Sequence, residues 1–78
     1  MDSEVKQKFQ KIVSHLAAGG IVKAEWYGQD GLCYKRMNIK RVFIGNDTLF
    51  GVNDTLFGVD EFERKTNLAD ANIFCIQE

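Results

Sequence analysis

An exact tandem repeat constrains this chain more than any other feature. Asn-Asp-Thr-Leu-Phe-Gly-Val runs from Asn46 to Val52 and recurs unchanged from Asn53 to Val59. Seven identical residues in tandem point to a recent duplication or a deliberate insertion. Each unit reads as five strand residues plus an Asn-Asp pair suited to a tight hairpin turn, since Asn tolerates positive φ. A repeat of that length adds a strand without moving its phenylalanine to the other face.

Two architectures follow, and the sequence leaves both open. In the first, Arg41–Gly45, Thr48–Val52 and Thr55–Val59 are three meandering strands. Phe43, Phe50 and Phe57 then form one row with Val52 and Val59, and Val42, Ile44, Leu49 and Leu56 lie behind them. Cross-strand aromatic pairs of this kind contribute about 0.2–1 kcal/mol each. In the second, the fold needs one copy and the other bulges out with its Leu, Phe and Val exposed. Burying such side chains is worth roughly 1.5–3 kcal/mol apiece, so the spare copy seeks a partner. An identical chain offers one through strand exchange or edge pairing. The residues of such self-association are Leu49, Phe50, Val52, Leu56, Phe57 and Val59.

The rest of the chain predicts a helix followed by short strands. Val5, Phe9, Ile12, Val13 and Leu16 form one apolar stripe, giving an amphipathic helix over 3–18. Asp2 or Ser3 can cap it, and Gly19-Gly20 ends it. From Ile21 the period changes to two. Val22, Ala24 and Trp26 alternate with Lys23, Glu25 and Tyr27, and Gly28-Gln29-Asp30-Gly31 turns the chain into a strand over 32–38. Residues 39–45 read as a third strand, 60–67 as polar loop, 68–72 as a helical turn and 73–76 as a terminal strand. The expected fold is therefore α+β, one domain over 1–78. Its N-terminal helix packs on a small, strongly bent antiparallel sheet or SH3-like barrel of five to six strands spanning 21–77.

Composition narrows the function classes. A chain of 78 residues buries only roughly 60–65% of its unfolded surface, a thin margin that self-association can widen. A net charge of -1 gives no global pull toward nucleic acid or an anionic membrane. Cys33 and Cys75 stand far apart in no metal-ligand spacing and read as buried apolar residues. No signal pattern or membrane-length apolar run is seen, which predicts a cytoplasmic protein without membrane contact.

Catalytic patterns are lacking. His15, the one histidine, falls in the last turns of the helix, where it can bond backbone carbonyls. Asp47, Asp54, Asp60, Glu61 and Glu63 do not follow the ligand pattern of a calcium loop, and no glycine loop of phosphate-binding type occurs. The expectation is no enzyme, no catalytic residue, no metal and no cofactor. One basic cluster stands out: Tyr34, Lys35, Arg36, Lys40 and Arg41, flanked by Trp26, Tyr27 and Phe43. Cations interleaved with aromatics can stack bases and follow phosphates. They can equally cover the solvent face of two strands.

With one copy of the repeat removed, the stretch from Lys23 to Ile73 resembles a WYL-type domain. The resemblance rests on Trp26-Tyr27-Gly28 with the Gln29-Asp30-Gly31 turn, Lys35-Arg36, Arg41-Val42-Phe43, Leu56-Phe57-Gly58-Val59-Asp60 and Lys65-Thr66-Asn67-Leu68. Thr55-Leu56-Phe57 stands where the Trp-Tyr-Leu triplet of that family is expected, so the resemblance carries over only an Sm-like (SH3-type) barrel. Together these readings predict a non-enzymatic binding or regulatory module that forms a homodimer. The alternative is a small barrel that binds nucleic acid through the 35–41 strand, or else a small ligand.

Overall fold

The computed structural model describes residues 3–77. One helix, α1 (Ser3–Ala17), precedes six strands: β1 (Ile21–Tyr27), β2 (Cys33–Ile39), β3 (Arg41–Asp47), β4 (Val52–Val59), β5 (Lys65–Asn67) and β6 (Asn72–Ile76). Glu4 in the first turn suits the positive end of the helix dipole. The expected cap from Asp2 or the Ser3 side chain lies outside the described groups. Gly19 adopts a φ of 84°, and the Gly19 and Gly20 amides bond back to the Leu16 and His15 carbonyls at 3.0 Å, closing the helix. Ile12 is fully buried, and Val5, Phe9 and Leu16 pack beside it. Val13, at the edge of the stripe, stays largely exposed.

The strands form two three-stranded antiparallel sheets, ordered β2-β1-β6 and β3-β4-β5. With the helix packed on them they give the expected α+β fold, and of the two expected forms, bent sheet or barrel, the strands do not close into the barrel. The chain changes sheets at Lys40, the residue between β2 and β3, whose N–H donates to the Val59 carbonyl at 2.8 Å. The core lies between the sheets and the helix. Val22, Ala24, Trp26 and Ile39 come from the first sheet, Leu56 with Val42 and Ile44 from the second, and Leu68 and Ala71 from the β5–β6 connection. No helix among the described residues is long and apolar enough to cross a membrane.

Several expectations change here. Residues 60–67 are not all loop, because Lys65–Asn67 pairs with β4. Leu68–Asn72 is not a helical turn. The Leu68 N–H donates to the Leu56 carbonyl at 2.9 Å, carrying the β4–β5 ladder one step further, and the chain turns over 69–70 into β6. Cys33 and Cys75 are half-buried free thiols rather than core residues.

The largest change concerns the repeat. The three-strand meander is not formed, and β3 pairs directly with the second copy. Partner numbers total 100 from Arg41 with Val59 through Phe43 with Phe57 to Gly45 with Thr55. Phe43 and Phe57 stack with centroids 5.1 Å apart, and Phe50 is not in their row. Removing either copy would leave Gly45 and Thr55 joined by one Asn-Asp pair, a two-residue hairpin in the same register. The duplication has thus lengthened a hairpin tip and left the sheet below it unchanged.

Candidate functional site

At that tip, residues 46–54 form the turn end of the β3–β4 hairpin. Asp47 pairs with Val52 around a turn over 48–51, whose Gly51 has a φ of 66°. Below it Asn46 faces both Asn53 and Asp54, a β-bulge in which Asp54 takes a φ of 54°. The Asn46 side-chain oxygen accepts the Asp54 N–H at 3.4 Å. Asp47 holds the other side of the tip, accepting the Asn67 side-chain N–H at 2.9 Å and the Phe50 N–H at 3.4 Å.

The apolar side chains of the two copies separate completely. Leu49, Phe50 and Val52 are 84%, 74% and 50% exposed, whereas Leu56, Phe57 and Val59 are 3%, 8% and 5% exposed. Of the six residues expected to self-associate, the first three are exposed at the hairpin tip and the last three are packed within the chain. Beside the tip lies an open hollow of about 380 Å³, walled by Trp26, Phe50, Val52, Thr55 and Asn67 among others. Sequence reading had not linked Trp26 to the repeat, because it stands at the end of β1 in the other sheet.

The basic cluster is not brought onto one face. Lys35 lies opposite Trp26, with its Nζ 5.0 Å from the ring centre, and Arg36 lies opposite Glu25 on the reverse face. Arg36 Nε pairs with Glu25 at 2.9 Å, and Arg41 pairs with Glu63. Tyr34 sits at an irregularity of the β1–β2 ladder and is exposed, as is Lys40 at the sheet change.

A second hollow, also about 380 Å³, lies between the outer face of β1–β2 and the 60–64 turn, lined by Lys23, Glu25, Arg36, Asp60, Phe62 and Arg64 among others. Four of its charges are paired, Arg36 with Glu25 and Arg64 with Asp60. Glu25 also accepts the Tyr27 hydroxyl at 2.5 Å, a bond that raises the tyrosine's pKa. Asp60 accepts the Phe62 and Arg64 amides at 2.9 Å and Arg64 Nε at 2.8 Å. Burial pushes the Asp60 carboxyl up, but these donors outweigh it and hold the pKa below its ordinary value. Nothing in the sequence marked Asp60 for this role, since its donors come from two to four residues further on.

His15 donates from Nε2 to the Ile76 carbonyl at 2.7 Å, tying the end of α1 to β6 rather than to its own helix. Among the described residues no three His, Cys, Asp or Glu side chains cluster in a way that could hold a metal. Compared with family models, curated proteins and solved structures, the chain matches none.

Proposed function

We propose that this chain is a small, non-enzymatic binding module that acts by associating with a second copy of itself through the tip of the β3–β4 hairpin. The observation that carries this reading is the exposure of Leu49, Phe50 and Val52 together at the hairpin tip. Single apolar side chains on a surface are ordinary, but large ones exposed at three of the four positions from Leu49 to Val52 favour an interaction site. The chain's histidine is engaged by a backbone carbonyl, which favours a binding role over a catalytic one. The nucleic-acid reading draws less support, because Lys35 and Arg36 occupy opposite faces and Arg36 and Arg41 have acidic partners.

Sedimentation equilibrium at tens of micromolar tests the proposal on the unaltered chain and on a Leu49→Ser/Phe50→Ser variant. Both substituted side chains are exposed, so the variant keeps the fold. The expected result is a dimer for the first and a monomer for the second. A monomer throughout for the unaltered chain would overturn it.

A further inference from the structure

We infer that the dimer forms by exchanging the two halves of the chain across the tip, with Phe50 of each copy meeting Phe50 of the other on the two-fold axis. This rests on the self-association proposed above and specifies its geometry. The register supplies the argument. From Arg41 with Val59 to Gly45 with Thr55 each β3–β4 pair totals 100, so a ladder continued in that register, without the bulge that shifts Asp47 onto Val52, would pair Asn46 with Asp54, Asp47 with Asn53, Thr48 with Val52 and Leu49 with Gly51. The next partner of Phe50 is then Phe50 itself. Within one chain that is impossible, and the tip must turn. Between two chains it defines an isologous contact, in which residue 46 meets 54 of the partner and 54 meets 46.

In such an exchange α1 to β3 of one chain combine with β4 to β6 of the other. The ladders that join the halves, β1 with β6 and β3 with β4 from Arg41–Val59 to Gly45–Thr55, reform with the same residues. So does the His15 bond to the Ile76 carbonyl. The left-handed conformations of Gly51 and Asp54 become extended, and Leu49, Phe50 and Val52 gain cross-strand partners. The single-copy hairpin would gain only its Asn-Asp turn as new ladder, so the duplication is what gives the exchange an apolar contact of its own.

The backbone pattern sharpens the test. The Leu68 N–H reaches the Leu56 carbonyl, so even-numbered residues of β4 direct their backbone groups to β5 and odd-numbered ones to β3. Continued through the tip, the Leu49–Gly51 and Asp47–Asn53 pairs are hydrogen-bonded, and the Phe50–Phe50 pair is not. Residues in a non-hydrogen-bonded antiparallel pair have Cα atoms about 4.5 Å apart, within disulfide reach.

Two measurements decide it. In the unaltered dimer, amide hydrogen exchange should show protection at Leu49, Gly51 and Asn53 but not at Thr48 or Phe50. In a Cys33→Ser/Cys75→Ala background, Phe50→Cys should form a cross-chain disulfide under mild oxidation on the order of tenfold faster than Leu49→Cys, whose own copy lies diagonally across the ladder. A dimer with a freely exchanging tip and equal cross-linking at both positions would overturn the exchange while leaving self-association standing. A monomer would overturn both.

Discussion

Thr48–Val52 and Thr55–Val59 have the same five residues and the same preceding Asn-Asp pair, yet one forms a solvent-exposed turn and the other a buried strand. Local propensity cannot separate them, because it is the same for both. What differs is the flanks: Gly45 precedes the first Asn-Asp pair and Val52 the second, and a different residue follows each copy. After the second copy comes Asp60, which gathers two backbone amides and the Arg64 guanidinium. After the first copy comes Asn53, which would occupy that position if the first copy filled the strand. A carboxamide cannot pair with the guanidinium as a carboxylate does. Tertiary context decides which of two equal segments enters the sheet, and the Asp60 contacts are flanking interactions that only the second copy has.

Equivalent substitutions in the two copies give the largest expected contrast. Phe57→Ala removes a buried ring stacked on Phe43 and should cost about 3–5 kcal/mol. Phe50→Ala should stay within about 0.5 kcal/mol when measured on the monomer. Urea denaturation at dilute, monomeric concentrations checks both. Equal costs would mean that the copies trade places in the strand.

The fold was legible where periodicity and turn residues agree. The stripe from Val5 to Leu16, the alternation from Val22 to Trp26 and the Gly28–Gly31 turn all map onto observed elements. β5 was not legible, because Lys65-Thr66-Asn67 is polar and short and is a strand only through its pairing with β4. The α+β fold with its helix on antiparallel strands was legible, but the choice between sheet and barrel was not, because a one-residue change of sheet at Lys40 leaves no mark in composition. For the candidate site, the apolar residues of the repeat were visible from the start. Which copy faces solvent was not, since that is set by pairing across the sheet and not by the residues of the repeat.

Asp60 provides the next test. Its folded-state pKa is lowered, so the carboxylate form favours folding. That contribution is present above the ordinary carboxylate range and is lost as pH falls toward the folded-state value. Unfolding midpoints between about pH 6 and pH 3 should therefore fall on acidification, and less steeply in Asp60→Asn than in the unaltered protein. The same substitution gives both copies an Asn at the following position. It should yield a second set of β3 amide resonances, from chains in which the first copy fills the strand. A single set would show that some other contact selects the second copy.

The smallest expected effect concerns the two Asn-Asp pairs, which also diverge in conformation. Asp47 ends β3 and spends its carboxylate on Asn67 and the Phe50 amide, whereas Asp54 occupies the bulge in a left-handed conformation. Its amide bond to Asn46 uses only backbone of residue 54 and survives replacement. Asp54→Gly should therefore stabilise the monomer by up to about 1 kcal/mol, the left-handed penalty less the entropy that glycine loses on folding. On a domain of this size that is a rise in Tm of at most about 4–8 °C. Asp47→Gly should lower Tm, because it discards the carboxylate that anchors the tip to Asn67. The Asp54 variant should also weaken the dimer, since exchange straightens residue 54 and no longer relieves strain there. A rise in both monomer stability and dimer affinity would mean that the bulge persists on association.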